Sequence, residues 1–198
     1  MAKRICVYCA SSEAVAAEYL EAAFELGQIL AGEGCAVVYG GGGIGMMGRL
    51  ADGVLSRNGC VTGVIPRFMQ ELEWGHTRLT ELQAVENMRE RKHLMLLGAD
   101  AVIALPGGCG TFEELLETIT LKRLALYSNP IIILNLLGYF DLLLAMLERA
   151  IREGFMDARH EQMWQVISTP AEVPAALENG RNWPASVREF AVVRNQQT

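Results

Sequence analysis

Leu105-Pro-Gly-Gly-Cys-Gly-Thr-Phe-Glu-Glu114 decides how this chain is read. It follows the apolar run Ala101-Val-Ile-Ala-Leu105 and opens a helical pattern. It is therefore a glycine-rich turn between a buried strand and a helix start. Unpaired backbone N–H groups and the helix dipole make such a turn an anion site. Gly107, Gly108 and Gly110 allow tight geometry and close backbone approach. Glu114 stands one turn into the helix, beside the anion, and two readings of it stay open. Thr111 and Glu114 have the spacing of a capping box, with Thr111 as N-cap and Glu114 reaching back to its N–H. The same carboxylate is placed for catalysis on a bound phosphate ester.

Outward from this turn, strand-like runs recur at residues 5–9, 35–39, 61–65, 101–105 and 131–134. They are continuous and β-branched, as in parallel strands buried on both faces. Helical patterns alternate with them at residues 14–31, 44–58, 85–97, 112–126 and 141–153. The alternation predicts an α/β fold, a Rossmann-like doubly wound parallel sheet flanked by helices. Ligands in such sheets bind at strand carboxyl ends, near a topological switch point. A second glycine cluster, Gly40-Gly-Gly-Gly-Ile-Gly-Met-Met-Gly48, also follows a strand, which makes Gly42 and Gly43 candidates for ligand contact. Residues 66–83 read as an irregular loop near the site, and residues 170–198 as one short helix and a polar tail.

The chain has 198 residues, about half of them apolar, and a net charge of −6. One nucleotide-binding domain over residues 1–180, with a polar tail at 181–198, fits that length. The acidic balance argues against nucleic acid but leaves room for a small anion held by local donors. Five cysteines, several in strand runs, read as free thiols of a reducing cytoplasm. Cys6 and Cys9 form a C-x-x-C, but three residues apart on a strand they face opposite sides and share no metal. His76, His93 and His160 lack ligand spacing, so no metal is expected. The first residues are too short in apolar length for a secretory signal, and Asn135, Asp141, Glu148 and Arg149 interrupt the apolar stretch at 131–151. No membrane association is expected.

Met88, Arg91, Lys92 and Met95 recur at i, i+3, i+4 and i+7, one helix face. Two cations there either grip a phosphate and a leaving group or form a solvated face paired with Glu86 and Glu90. Gly43-Ile-Gly-Met-Met-Gly48 matches G-x-G-x-x-G literally, yet it follows the second strand. The next strand ends in Pro66-Arg67, without the acid that holds an NAD ribose, although Arg67 would suit a 2′-phosphate. No cofactor is expected. Ser11 and Ser12, after the first strand, touch a ligand or cap the next helix.

These motifs together resemble the LONELY GUY (LOG) phosphoribohydrolases. Pro106-Gly-Gly-Cys-Gly-Thr-Phe-Glu-Glu114 fits their P-G-G-x-G-T-x-x-E signature, and Gly41-Gly-Gly-Ile-Gly-Met-Met-Gly48 resembles their G-G-G-x-x-G-L-M-G turn with Met46 for Leu. Asn87-Met-Arg-Glu-Arg-Lys92 resembles their M-H-x-R-K segment, and the similarity runs from about Ile5 to about Leu177, including Glu153-Gly-Phe. The resemblance implies cleavage of the N-glycosidic bond of nucleoside 5′-monophosphates, cytokinin riboside monophosphates or AMP, by a homodimer. It implies Arg91 and Glu114 as the catalytic pair. Together with the residues' own reading it assigns substrate contacts to Glu71, Met88, Lys92, Gly107, Gly108, Cys109, Gly110, Thr111, Phe112, Glu113 and Thr120. Arg89 departs from the family's His, and Leu121, Arg123, Ala125 and Tyr127 replace its Trp, Gln, Gly and His, which bears on base preference and the dimer contact. Such proteins have also been labelled lysine decarboxylases. A pyridoxal enzyme needs a Schiff-base lysine, and only Lys3, Lys92 and Lys122 exist. The rival class is a carrier that binds a nucleotide or phosphorylated cofactor without turning it over.

Overall fold

The five apolar runs become the five inner strands of a seven-stranded sheet in the computed structural model, which describes residues 2–72, 74–180, 182–184, 186 and 190–193. The strands are β1 (Arg4–Tyr8), β2 (Ala36–Tyr39), β3 (Val61–Pro66), β4 (Glu81–Val85), β5 (Ala101–Ala104), β6 (Ile131–Leu134) and β7 (Gln165–Ile167). Their order is β4-β3-β2-β1-β5-β6-β7, and every pairing is parallel. The helices are α1 (Ala17–Gly32), α2 (Gly45–Ser56), α3 (Arg67–Glu71), α4 (Met88–Leu96), α5 (Cys109–Arg123), α6 (Asp141–Arg152) and α7 (Val173–Asn179).

Side chains of β1 alternate between two cores. Ile5 and Val7 join Leu26, Leu30, Leu50 and Val54 of α1 and α2 on one face; Cys6 and Tyr8 join Met95, Leu115 and Ile119 of α4 and α5 on the other. Each fully buried Leu, Ile or Val contributes roughly 1.5–3 kcal/mol, so two covered faces fix the strand register. Cys6 and Cys9 fall in different cores, and all five cysteines are free.

Both edge strands correct the sequence reading. The stretch at 66–83 holds α3 and the start of β4, and the helix expected from residue 85 begins at Met88, because Val85 closes β4. No helix among the described residues is long and apolar enough to cross a membrane. At the C-terminal end, Trp183 packs on the second core, while residues 181, 185, 187–189 and 194–198 of the expected tail lie outside the described residues.

The topology fixes where a ligand can sit. From β1 the chain winds outward through β2, β3 and β4, then returns to lay β5 on the other side of β1. The reversal leaves a crevice at the carboxyl ends of β1 and β5.

Candidate active site

The turn at residues 105–108 leaves β5 and feeds directly into α5. Gly108 is the N-cap, extended at φ −86° and ψ −157°, and no side chain caps the helix. The first N–H groups of α5 are thus left for an outside acceptor, with the positive end of the dipole behind them. A Cβ added at Gly108 or Gly110 would meet nothing within 4 Å, so this face of the turn is open. Gly107 is closed in: a Cβ there would stand 2.6 Å from that of Thr111.

The helix starts three residues earlier than the capping-box reading requires, with Gly108 and not Thr111 as its N-cap. Thr111 lies inside α5, and the Glu114 carboxylate turns to Arg91 instead of back to residue 111. The capping account of Glu114 is therefore replaced by an ion pair.

Arg91 is set by α4, whose N-cap Asn87 accepts from the N–H groups of Arg89 and Glu90 at 3.0 Å each. Its guanidinium reaches over the sheet. Nε donates to the Val64 carbonyl at 3.1 Å, Nη2 to the Gly40 carbonyl at 3.2 Å, and Nη1 to Glu114 Oε1 at 3.1 Å. Two strand ends thus hold the cation, and the cation holds the carboxylate. Both side chains are buried, at 7% and 5% exposed. Burial raises the Glu114 carboxyl to about 7; the Arg91 charge opposes that shift without overcoming it, and Glu113 adds to it. The guanidinium carries five N–H donors and uses three here, leaving two without a partner among the described residues.

A cleft of about 270 Å³ opens on this pair, lined by Cys9, Ala10, Ser11, Ser12, Met47, Arg91, Gly108, Gly110, Thr111 and Glu114. Ser11 and Ser12 therefore line the site. A larger cavity of about 470 Å³ lies between α4 and α5, lined by Arg89, Lys92, Leu121 and Tyr127 among others. The smaller one sits at the switch point and contains the buried acid. No group of His, Cys, Asp or Glu that could hold a metal occurs among the described residues.

The other expected contacts are not among the residues that line the cleft. Cys109 is exposed at the first residue of α5, and Phe112 is half-buried against Tyr139, with rings stacked at 6.3 Å. Lys92 turns away to Glu113 at 2.7 Å and Glu117 at 2.9 Å, bonds that hold its ammonium above the ordinary lysine range. Thr120 is exposed and donates to the Leu116 carbonyl at 2.8 Å, and Met88 is half-buried in the first turn of α4. Glu71 is exposed at the end of α3. Gly42 pairs with Gly75 in an isolated bridge, and the Gly43 N–H donates to the Trp74 carbonyl at 2.9 Å. Sequence reasoning missed Met47 and Tyr139. Met47 sits in the G-x-G-x-x-G segment and was readable there; Tyr139 reaches the turn from 32 residues away with no local signal.

The family described as "Possible lysine decarboxylase" matches residues 47–177. The chain is 44% identical over 160 residues to the cytokinin riboside 5′-monophosphate phosphoribohydrolase LOG1 of Arabidopsis thaliana, covering 80% of this chain and 75% of that one. It is 41% identical over 167 residues to LOG4 of the same plant, of the same described activity, covering 84% and 77%. Among solved structures, a molybdenum cofactor binding protein from the phototrophic bacterium Rippkaea orientalis superposes with a TM-score of 0.69 at 21% identity, over 90% of this chain and 96% of that one. The molybdenum cofactor carrier protein of Chlamydomonas reinhardtii superposes with a TM-score of 0.68 at 20% identity, over 90% and 97%. At that identity the likeness shows a common fold alone.

Proposed function

The chain belongs to the LONELY GUY (LOG) family, and from that premise we propose that its cleft hydrolyses the N-glycosidic bond of nucleoside 5′-monophosphates. Cytokinin riboside 5′-monophosphates and AMP are the substrates, and the free base and ribose 5-phosphate are the products. One observation carries this reading: a buried carboxylate near neutral pKa, held by a fixed arginine, shares a cleft with an open helix N-terminus. A carrier needs only the N-terminus. An acid beside a bound phosphate repels it, so its place there calls for a chemical task.

The 5′-phosphate docks on the N–H groups of residues 108–111, in the open space over Gly108 and Gly110. That remote grip fixes the ribose against the reacting end. As the C1′–N bond breaks, its electron pair leaves with the base, which takes up a proton, and positive charge grows on the sugar. The Glu114 carboxylate stabilises that charge and orients a water molecule, whose oxygen bonds to C1′ as one of its protons passes to the carboxylate; that proton balances the one the departing base takes up, and ribose 5-phosphate results. Arg91 keeps the carboxylate in place and turns its two remaining N–H groups on the substrate. No lysine lines the cleft, so Schiff-base chemistry has no residue there. The free thiols support action in the cytoplasm, and the exposed Leu142 and Met146 on α6 support a homodimer.

The test is product release from AMP and isopentenyladenosine monophosphate, followed by HPLC, for wild type and Glu114→Gln. Gln keeps the acceptor for Arg91, so the variant folds. We expect wild type to release base and ribose 5-phosphate and the variant to lose about 100- to 1,000-fold in kcat, the range for removing one preorganised electrostatic group. Nucleotide binding without release from any nucleoside monophosphate would leave the carrier.

A further inference from the structure

Tyr139 lies outside the cleft, yet it holds the part of the turn that faces the ligand. Its hydroxyl donates to the Gly107 carbonyl at 2.6 Å. A trans peptide points its C=O and the following N–H in opposite directions. Tying back the carbonyl of residue 107 therefore aims the N–H of Gly108, which lines the cleft, away from Tyr139. The Thr111 side chain fills the space where a side chain at Gly107 would stand.

The approach to Tyr139 is built for this contact. After β6, Asn135 accepts from the Phe140 N–H at 2.7 Å and donates to Asp141 at 2.8 Å, closing a tight turn. Inside it Leu137 and Gly138 stand at φ +52° and +73°. Leu137 is 72% exposed, so burial does not hold it in the left-handed region. A non-glycine residue there is strained and persists where surrounding structure fixes it. The next residue is Tyr139, whose ring is set by Phe112 stacked at 6.3 Å, Phe140 edge-on at 5.3 Å and Tyr19 edge-on at 6.1 Å.

We infer that Tyr139 is a positioning residue, which sets the orientation of the phosphate-binding peptide through the Gly107 carbonyl. The inference rests on the anion-site half of the proposed function and is independent of bond cleavage. The variant is Tyr139→Phe, which keeps the ring contacts and deletes the hydroxyl. One neutral hydrogen bond is worth about 0.5–1.5 kcal/mol, or about 2- to 12-fold in affinity. We expect KM for AMP to rise by about that factor with kcat within about twofold, and ribose 5-phosphate to bind more weakly by the same factor in calorimetry. Adenosine, which lacks the phosphate, is expected to bind both proteins alike. An unchanged ribose 5-phosphate affinity overturns the inference, and so does an equal loss for adenosine, which would mark a general structural defect. Wild type that binds ribose 5-phosphate but hydrolyses nothing removes the hydrolase reading; the weaker binding of the Phe variant then still supports the tyrosine's role.

Discussion

The two glycine turns read alike and are built differently. In the turn after β2, glycines are needed because backbone crowds them. A Cβ at Gly48 would stand 2.7 Å from the Gly43 carbonyl carbon, and one at Gly45 2.5 Å from that of Ser11. Its polar groups are spent internally: Gly43 N–H on Trp74, the Gly41 carbonyl on the His76 N–H, the Gly40 carbonyl on Arg91. In the turn after β5, Gly108 and Gly110 meet empty space. Glycine is thus a scaffold device in one turn and leaves open space in the other, where we propose that the ligand sits. Arg91 joins them, bonded to the Gly40 carbonyl at one end and to Glu114 at the other.

A pair of alanine substitutions tests that division most directly. Gly48→Ala forces backbone apart and is expected to destabilise by about 1–3 kcal/mol, the cost of overpacking. Gly110→Ala puts a methyl into open space inside a helix, where Ala is favoured over Gly by about 0.5–1 kcal/mol. Chemical denaturation is expected to show the first less stable and the second as stable as wild type or more so, while calorimetry shows the second binding ribose 5-phosphate more weakly. Equal stability losses would erase the distinction.

The next effect is specific to the open turn, since only it carries a buried acid. With the carboxylate as working form and a carboxyl near 7, kcat/KM is expected to rise about tenfold between pH 6 and 8. The residual rate of Glu114→Gln reports only the substrate phosphate, whose second pKa is about 6. Stability runs the other way. The folded carboxyl titrates above its ordinary 4.5, so its contribution is complete below pH 4.5 and lost as pH rises through about 7. Melting curves should show wild type losing a few degrees against Glu114→Gln from pH 5 to 8. Parallel melting curves across that range would mean an ordinary, solvated acid.

How far these features were legible depends on how local their causes are. Inner strands are buried on both faces, so residues such as Ile131 to Leu134 carry their own signature. The edge strands are paired on one side only: β4 is Glu-Leu-Gln-Ala-Val with an exposed first residue, and β7 is three residues long. Neither has an apolar run to read. At the site, the turn and its two charged residues were visible, because glycine spacing and helix register are local. Lys92 was grouped with Arg91 on one helix face; about 100° of rotation per residue separates them, enough to send one to the sheet ends and the other to Glu113 and Glu117. Tyr139 is a meeting of distant segments, which no local pattern encodes.

The smallest effect concerns a place where the backbone asks for glycine and the chain has none. Helix α5 ends in a Schellman motif: the N–H of Ala125 donates to the Lys122 carbonyl at 3.1 Å, and that of Leu126 to the Leu121 carbonyl at 2.9 Å. The motif puts Ala125 at φ +55°, in the position where the family signature has glycine. Helix α4 meets the same demand with Gly98 at φ +69°, where an added Cβ would have no neighbour within 4 Å. Space is therefore not the issue at such a site; the left-handed backbone is. Ala125→Gly relieves it and gives back part of the gain as unfolded-chain entropy, so a net stabilisation of about 0.5–1 kcal/mol is expected. For a chain of this size that is about 2 °C in Tm. Gly98→Ala is the mirror experiment and should lower Tm by a similar amount. Neither residue lines the cleft that holds Arg91 and Glu114, so kcat/KM should be unchanged in both. If Ala125→Gly melts at or below wild type, the left-handed cost is absent there, and glycines at helix ends must then be separated from those in the two turns.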